Sequence, residues 1–424
     1  MSEWRQRAQR LDHEDPLAAF RDRFWIPEGP GGAPQRYFCG NSLGLQPRAL
    51  ARELAAELEA WKRLGVAGHF EGPHPWMPYH EELREPLARL AGAKPPEVVA
   101  MNSLTVNLHL LMTSFYRPAG ARNRILIERQ PFPSDRYAVE SQIRWHGLDP
   151  ADCLVELASP GARQIDEGLV EDYLAEHGDE VALVLWPGVH YATGQRFDLG
   201  RIAEAARRAG AAVGFDLAHA AGNVPLDLHA SGCDFAAWCS YKYLNAGPGA
   251  VAAAFVHERH HGREDLPRLH GWWGQDPKIR FRMGPEFVPA PGADAWQLSN
   301  PPILAMAPLR VSLEIFDAAG LDRLRAKSVA LTGFFADLVT ARLGEAMEIL
   351  TPADPERRGC QLSLRVRAGR DAGRALFEAL EAEGIVTDWR EPDVIRAAPV
   401  PLYNRFADCV DFVDAAERHL GGRQ

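Results

Sequence analysis

Between residues 97 and 256 the chain repeats one alternation: a short apolar run, then a stretch of helical periodicity. The runs are EVVAM (97–101), NRILI (123–127), CLVEL (153–157), VALVLW (181–186), AAVGF (211–215), DFAAWC (234–239) and AVAAAFV (250–256). Helical stretches separate most of them, near 104–115, 134–146, 166–176 and 198–209. Runs of this size have strand length and fall far short of a membrane span. Strand–helix alternation predicts a mainly parallel sheet covered by helices on both faces, an α/β fold whose ligands bind outside the carboxyl ends of the strands. The last two runs are joined by a loop, which suits an antiparallel pair.

The flanks read differently. Leu50, Leu54, Leu58 and Trp61 recur at helical spacing behind Pro47, which predicts a helix over 47–64 with Pro47 at its first position. A second helix is expected over 78–91. Residues 257–300 carry many Trp, Pro and Gly and little periodicity, the mark of a long functional excursion. A long helix follows Pro302 and another spans 321–343. A strand (361–366), a helix (371–383), strand segments in IVTDW and VIRAAPV, and a last helix from about 405 complete a smaller α+β unit. A chain of 424 residues is too long for one small core. We expect an N-terminal segment (1–70) packed with the small domain, a large α/β domain (71–310) and a small C-terminal α+β domain (311–424).

Charge and cysteines narrow the setting. The formal net charge is -10 with both signs interspersed, so the basic stripe of a nucleic-acid binder is missing. Cysteines stand at 39, 153, 233, 239, 360 and 409 with no C-x-x-C pair, which suits reduced thiols and suggests neither a metal knuckle nor a redox motif. The first residues, MSEWRQRAQRLDHEDP, are charged throughout and lack the apolar segment of a secretory signal. The expected setting is cytoplasmic.

The chemistry gathers at strand ends. FDLAHAAG (215–222) puts Asp216 at the carboxyl end of AAVGF, with His219 three residues on. CSYKYLNAGPG (239–249) puts Lys242 after the next run, between Tyr241 and Tyr243. Singly, an Asp is as often a helix cap and a Lys a solvated surface group. An Asp on one strand and a Lys one strand later is what pyridoxal 5'-phosphate needs: the amine takes the aldehyde, and the carboxylate holds the pyridinium nitrogen protonated. Burial between two tyrosines would strip solvent from the amine and favour attack. MNSLTVNLHLL (101–111) runs from strand to helix, so the amides of Leu104 and Thr105, with the Thr105 hydroxyl, are candidates to cradle a phosphate. QPFPSDRYA (130–138) adds Phe132, a ring to stack on a flat cofactor, and Asp135, a cap or a cofactor contact.

Taken in order, Asn41-Ser42-Leu43-Gly44-Leu45, PFPSD, FDLAHAAGNVPLDLH, CSYKYLNAGPG, GWWGQ, LSNPP and APVPLYN resemble the kynureninase family, from about residue 35 to the end of the chain. SYKYLN and LSNPP separate this pattern from the related cysteine desulfurases and class V aminotransferases. The resemblance implies a fold-type-I pyridoxal phosphate enzyme, transferase-like in fold. It implies a homodimer whose site is shared between subunits, hydrolysing L-kynurenine to anthranilate and L-alanine.

By this resemblance Lys242 matches the cofactor lysine, Asp216 the pyridinium partner and His219 a histidine beside the ring. Leu104 and Thr105 match the phosphate loop, and Tyr241 a tyrosine on the phosphate that also serves as a catalytic candidate. Phe132 and Asp135 match the stacking ring and its polar neighbour. Trp272 and Asn300 match ligands given by the other subunit, and Asn300 also faces the substrate. Arg396 resembles the grip on the substrate α-carboxylate, a task suited to a bidentate guanidinium. Ser42 and His69 resemble residues lining the aromatic end of the substrate. At Pro187 some family members carry a serine that helps bind the cofactor, and proline offers no donor. Two other readings stay open: a cysteine desulfurase-like enzyme using Cys360, and a non-catalytic protein retaining the fold.

Overall fold

The computed structural model describes residues 2–159 and 164–421, so the outer ends of the first and last expected domains lie outside the described residues. Its strands are β1 (Arg36–Tyr37), β2 (Val98–Ala100), β3 (Arg124–Glu128), β4 (Leu154–Leu157), β5 (Val181–Pro187), β6 (Ala212–Asp216), β7 (Phe235–Trp238), β8 (Ala253–Val256), β9 (Met347–Ile349), β10 (Leu362–Val366), β11 (Ile385–Val386), β12 (Asp388–Arg390) and β13 (Val394–Ala397). All seven apolar runs are strands, and together they make one sheet in the order β2-β8-β7-β6-β5-β3-β4. From β7 through β6, β5 and β3 to β4 the pairing is parallel. β8 runs antiparallel to both β7 and β2, as the short connection between the last two runs suggested. β5 is buried along its whole length, which is why it reads as an unbroken apolar run rather than an alternating one.

The order of this sheet fixes where a ligand goes. The chain leaves β3 outward to β4, and it leaves β5 the other way, to β6 and then β7. Helices bridging neighbours in opposite directions leave a crevice between β3 and β5 at the carboxyl edge. Glu128, Pro187, Asp216 and Trp238 are the last residues of β3, β5, β6 and β7.

A second sheet, β12-β13-β10-β9, is wholly antiparallel. It packs with the helices Leu321–Leu343, Arg370–Ala382 and Phe406–Gly421 around a separate core that includes Phe335, Leu364 and Phe412. The N-terminal helix Glu3–His13 joins that core through Ala8, and Phe38 stacks on Phe335 at 5.8 Å. Further on, Leu17, Phe24 and Leu45 belong to the core of the large sheet. So do Met306, Phe316 and Leu324.

Two expected helices differ in detail. Pro47 is not a first helical residue; it bridges to Phe24, and the helix runs Leu50–Leu64. The stretch 78–91 is two helices, Tyr79–Glu82 and Arg84–Ala91. Pro86 explains the break: it has no N–H for the Glu82 carbonyl, and its ring crowds that carbonyl. The excursion 257–300 holds only short 3₁₀ turns, among them Trp272–Gly274 and Gly292–Trp296.

Candidate active site

A cavity of about 170 Å³ opens at the crevice, lined by residues at or just after the ends of β2, β3, β5, β6 and β7. Of the residues expected from sequence, Leu104, Thr105, Phe132, Asp135, Asp216, His219, Tyr241 and Lys242 all line it. Asp216 reaches it as the final residue of β6, where its Oδ1 accepts from the Ala218 amide at 2.7 Å. Lys242 lies in the loop after β7, buried, with Nζ 3.1 Å from His219 Nε2. The two tyrosines do not sandwich it. Lys242 Nζ stands 5.7 Å from the Phe132 ring centroid and 5.9 Å from that of Tyr241. Tyr243 turns away toward Cys360 and Tyr403, because the chain bends and turns through 240–244 instead of running on as a strand.

Charge in the cavity is unbalanced. Three buried carboxyls, Glu128, Asp135 and Asp216, border it, and Asp135 hydrogen-bonds Asp216. Burial first, then the Asp216 charge, holds the Asp135 carboxyl well above the usual range. Burial does the same to Glu128, helped by Asp216. Asp135 therefore keeps its proton beside Asp216. Burial, then the Lys242 charge, pushes His219 well below its ordinary value, so the imidazole is neutral. Its Nδ1 is buried without a partner. Burial and the neighbouring Cys239 raise the Tyr241 phenol, which keeps its proton.

The opposite wall is built for an anion. The helix Leu104–Phe115 begins there, and Ser103 at its N-cap makes no side-chain bond to it. The helix Pro133–Trp145 begins beside it, with Phe132 at an equally unbonded N-cap. Thr105 Oγ1 and Ser134 Oγ meet at 2.8 Å across the gap. The first helix offers the Leu104 and Thr105 amides; the second adds only the Ser134 amide, because Pro133 has no N–H and the Asp135 amide donates to the Phe132 carbonyl at 2.9 Å. These amides and the two hydroxyls make a phosphate cradle. A neutral histidine, an amine with no carboxylate within ion-pair distance among the described residues, a carboxyl pair in which Asp135 keeps its proton and this cradle together fit pyridoxal phosphate. Pro187 ends β5 on the cavity wall opposite Asp216, and it has no donor to give.

Beside the cavity lies a second group. Arg396 is almost fully buried on β13, its Nη1 donating to the Tyr191 carbonyl at 2.8 Å and its Nη2 to Ser42 Oγ at 3.1 Å and to Asp388. Tyr191 lines the cavity and meets Phe132 edge-on, so Arg396 sits one residue behind the cavity wall. Ser42 hydrogen-bonds Asp388, which places it with this ionic group. His69 is away from the cavity, with Nδ1 3.2 Å from the Val66 carbonyl and its ring against Trp76. Trp272 and Asn300 are exposed and line no part of the cavity within this chain.

Sequence reasoning missed Glu128, Ser134, Tyr191 and Asp388. Ser134 stood inside the motif PFPSD, and its place at the second position of a helix was a usable signal. Tyr191 acts through its carbonyl, which no side-chain pattern reveals.

The chain is similar to known proteins over almost its whole length. The family model "Kynureninase C-terminal domain" matches residues 324–416. Curated relatives include the kynureninase of Xanthomonas euvesicatoria pv. vesicatoria (strain 85-10), 59% identical over 414 residues and 97% of each chain. The kynureninase of Stenotrophomonas maltophilia (strain K279a) is 57% identical over 418 residues and 98% of each. Among solved structures, a C-DES variant with glycine covalently linked to its PLP cofactor superposes with a TM-score of 0.77 at 20% identity, covering 94% of this chain and 99% of that one. The cysteine desulfurase CsdA of Escherichia coli gives 0.74 at 18% identity, covering 96% and 98%. At such identity the structures speak for the fold.

Proposed function

The chain belongs to the kynureninase family, and we propose that the cavity around Lys242 is where its reaction takes place. That reaction is hydrolysis of the bond between the β and γ carbons of L-kynurenine, or its 3-hydroxy form, to anthranilate, or 3-hydroxyanthranilate, and L-alanine. The enzyme is a pyridoxal phosphate-dependent hydrolase of class EC 3.7.1.3. One observation carries the assignment of the site: the Lys242 amine and the Asp216 carboxylate, on successive strands, border one cavity with a phosphate cradle.

When bound, the cofactor supplies an electron sink for the substrate α-carbon. Lys242 is the amine that would carry the cofactor and, once freed, the base placed to take the substrate α-proton and return it. Neutral His219 holds the Lys242 nitrogen in line without adding charge. Asp216 would pair with the ring nitrogen, and Asp135 beside it keeps its own proton. Leu104 and Thr105, joined by Ser134, would hold the phosphate, and Phe132 would stack on the ring. Tyr241, with its proton retained, is the acid–base candidate for the hydrolytic water together with Lys242. Arg396 grips the substrate carboxylate behind Tyr191. Trp272 and Asn300 serve the site of a partner subunit in a homodimer, and a cytoplasmic setting is part of the same proposal. Among the described residues no helix is long and apolar enough to cross a membrane.

A sulfur-transfer enzyme needs an accessible thiol. All six cysteines are buried, and burial pushes Cys360 up to about 12. That reading is set aside. The test is an assay of the purified protein with both kynurenines, following fluorescent anthranilates; absence of product with both overturns the function. Borohydride reduction of the cofactor-loaded protein is expected to leave the cofactor mass on Lys242, and Lys242→Ala to lose nearly all turnover. Label on another lysine would overturn the site.

A further inference from the structure

We propose that Asp388 is an internal stand-in for the substrate carboxylate, occupying the Arg396 fork in the free protein and passing to Arg390 when a carboxylate arrives. The inference rests on the reading of Arg396 as the carboxylate grip.

The geometry is a closed ionic set. Asp388 and Arg396 are direct cross-strand partners of β12 and β13, so the sheet register itself fixes the pair. Asp388 Oδ2 accepts from Arg396 Nη2, from Ser42 Oγ and, at 3.0 Å, from Arg390 Nη2 two residues along its own strand. Two guanidinium groups thus share one carboxylate. Burial pushes the Asp388 carboxyl up, and Arg396, Ser42 and Arg390 together outweigh it and hold it below the usual range. Asp388 is therefore ionised, and the set carries one surplus positive charge. Among the described residues Arg396 Nε and Arg390 Nε are both buried without a partner, so donor capacity remains for a second anion.

A buried guanidinium with no counter-ion is strongly destabilised and would capture any small anion. Asp388 prevents both. An incoming α-carboxylate must compete with it, and the competition is bearable because Arg390 is already in contact to receive Asp388. After hand-over each cation has its own anion. The consequence is selectivity: a ligand that brings only a carboxylate gains little at this site. An amino acid gains more, because its amine is held separately, in the place Lys242 would give up on the cofactor. Tyr191, whose carbonyl holds Arg396 and whose ring meets Phe132, connects the two ends.

The role has a sign that damage cannot imitate. Removing a competitor tightens binding; disrupting a site weakens it. The experiment is calorimetric titration of the cofactor-loaded protein with propionate, a carboxylate without an amine. Asp388→Asn is expected to bind propionate about tenfold more tightly than the parent, since an unpaired buried cation attracts an anion strongly. Equal or weaker binding in a variant that keeps its cofactor overturns the proposal. Arg390 is partly exposed, so Arg390→Gln leaves no buried hole and serves where Asp388→Asn does not fold. It removes the receiving cation and is expected to weaken propionate about threefold; unchanged affinity overturns the hand-over. Arg396→Gln separates this proposal from its premise. If Arg396→Gln leaves amino-acid and propionate binding intact, the carboxylate grip lies elsewhere and both readings fall. If it abolishes them while Asp388→Asn gains nothing, only the stand-in falls.

Discussion

A carboxyl buried at the end of β3 costs stability whenever it ionises. Glu128 is one, with burial and Asp216 both holding its proton on well above the usual range. In the unfolded chain the same group releases its proton at ordinary carboxylate pH. Between those two values the folded state binds more protons than the unfolded state, so stability falls as pH rises through that window. Below the unfolded value the contribution is fully present. Glu128→Gln keeps the shape and cannot ionise. We expect its Tm at pH 8 to exceed the parent's by about 1–3 °C, converting a kcal/mol-scale effect in a chain of this size. The gain should shrink toward zero at pH 4. A pH-independent difference in calorimetric scans would place Glu128 outside the titrating set. Residues of this kind explain where sequence reading stops. Lys242 and Asp216 were legible because their chemistry is specific and their strands are one apart. Glu128 was not, because a glutamate closing a short strand looks like any solvated surface residue until the fold buries it near Asp216. Asp388 was hidden for a related reason: only the β12–β13 register shows that it faces Arg396.

At the level of elements, the loop Asn41–Leu45 matters to the site through its backbone. The Gly44 amide donates to the Tyr241 carbonyl at 2.8 Å, laying this loop on the one that carries Lys242. A Cβ at Gly44 would stand 2.3 Å from the Lys242 carbonyl oxygen and 2.7 Å from the Asn245 Cα. Both are backbone atoms, so the loop that holds the amine must move. Gly44→Ala is expected to cost about 1–3 kcal/mol by overpacking. It should also lower kcat and cofactor retention together, read by turnover and by the visible absorption of dialysed protein. Normal retention with lost stability would mean that the two loops are coupled only by packing. Most strands of the large sheet were readable because strands buried on both faces, parallel or not, are continuous apolar runs; β4 is only half-buried. The N-terminal helix Glu3–His13 was not, since it buries only Ala8 and its outer faces are charged. Its partners, Asp411 and Asp414 against Arg5, lie at the far end of the chain. β9 escaped notice because three residues show no period. The end of the helix 47–64 was right and its start was wrong, since Pro47 signals an extended bridge as readily as a helical first turn.

For the molecule as a whole, two of the cores, one on the large sheet and one in the small unit, bear on where the large and small domains divide, expected at residue 310. We propose that the division falls within the helix Leu321–Leu343, between Leu324, which packs in the large core, and Leu331, which packs in the small one. Chain 1–70 is likewise divided, with its first helix on the small core and Leu17, Phe24 and Leu45 on the large. What neither core accounts for is the exposed apolar surface. Leu58, Trp61, Val66 and Phe70 are exposed beside Leu304, while Trp272, Phe281 and Met283 are exposed on the excursion. We propose that another chain covers these exposed apolar groups. A homodimer that buries them would carry Trp272 and Asn300 to a cavity in the partner, and that arrangement has a quantitative consequence. Lys242→Ala spoils the site in its own subunit. Trp272→Ala with Asn300→Ala spoils the site in the other. Each homodimer alone should be inactive or nearly so. Mixed by co-expression, half the dimers are hybrid, and each hybrid holds one site with every residue intact and one with every defect. Turnover should return to about a quarter of the parent value, the statistical share for a two-fold dimer with shared sites. If hybrid dimers form by mass measurement and turnover stays at the level of the separate variants, each subunit builds its site alone, and the exposed tryptophan has another task.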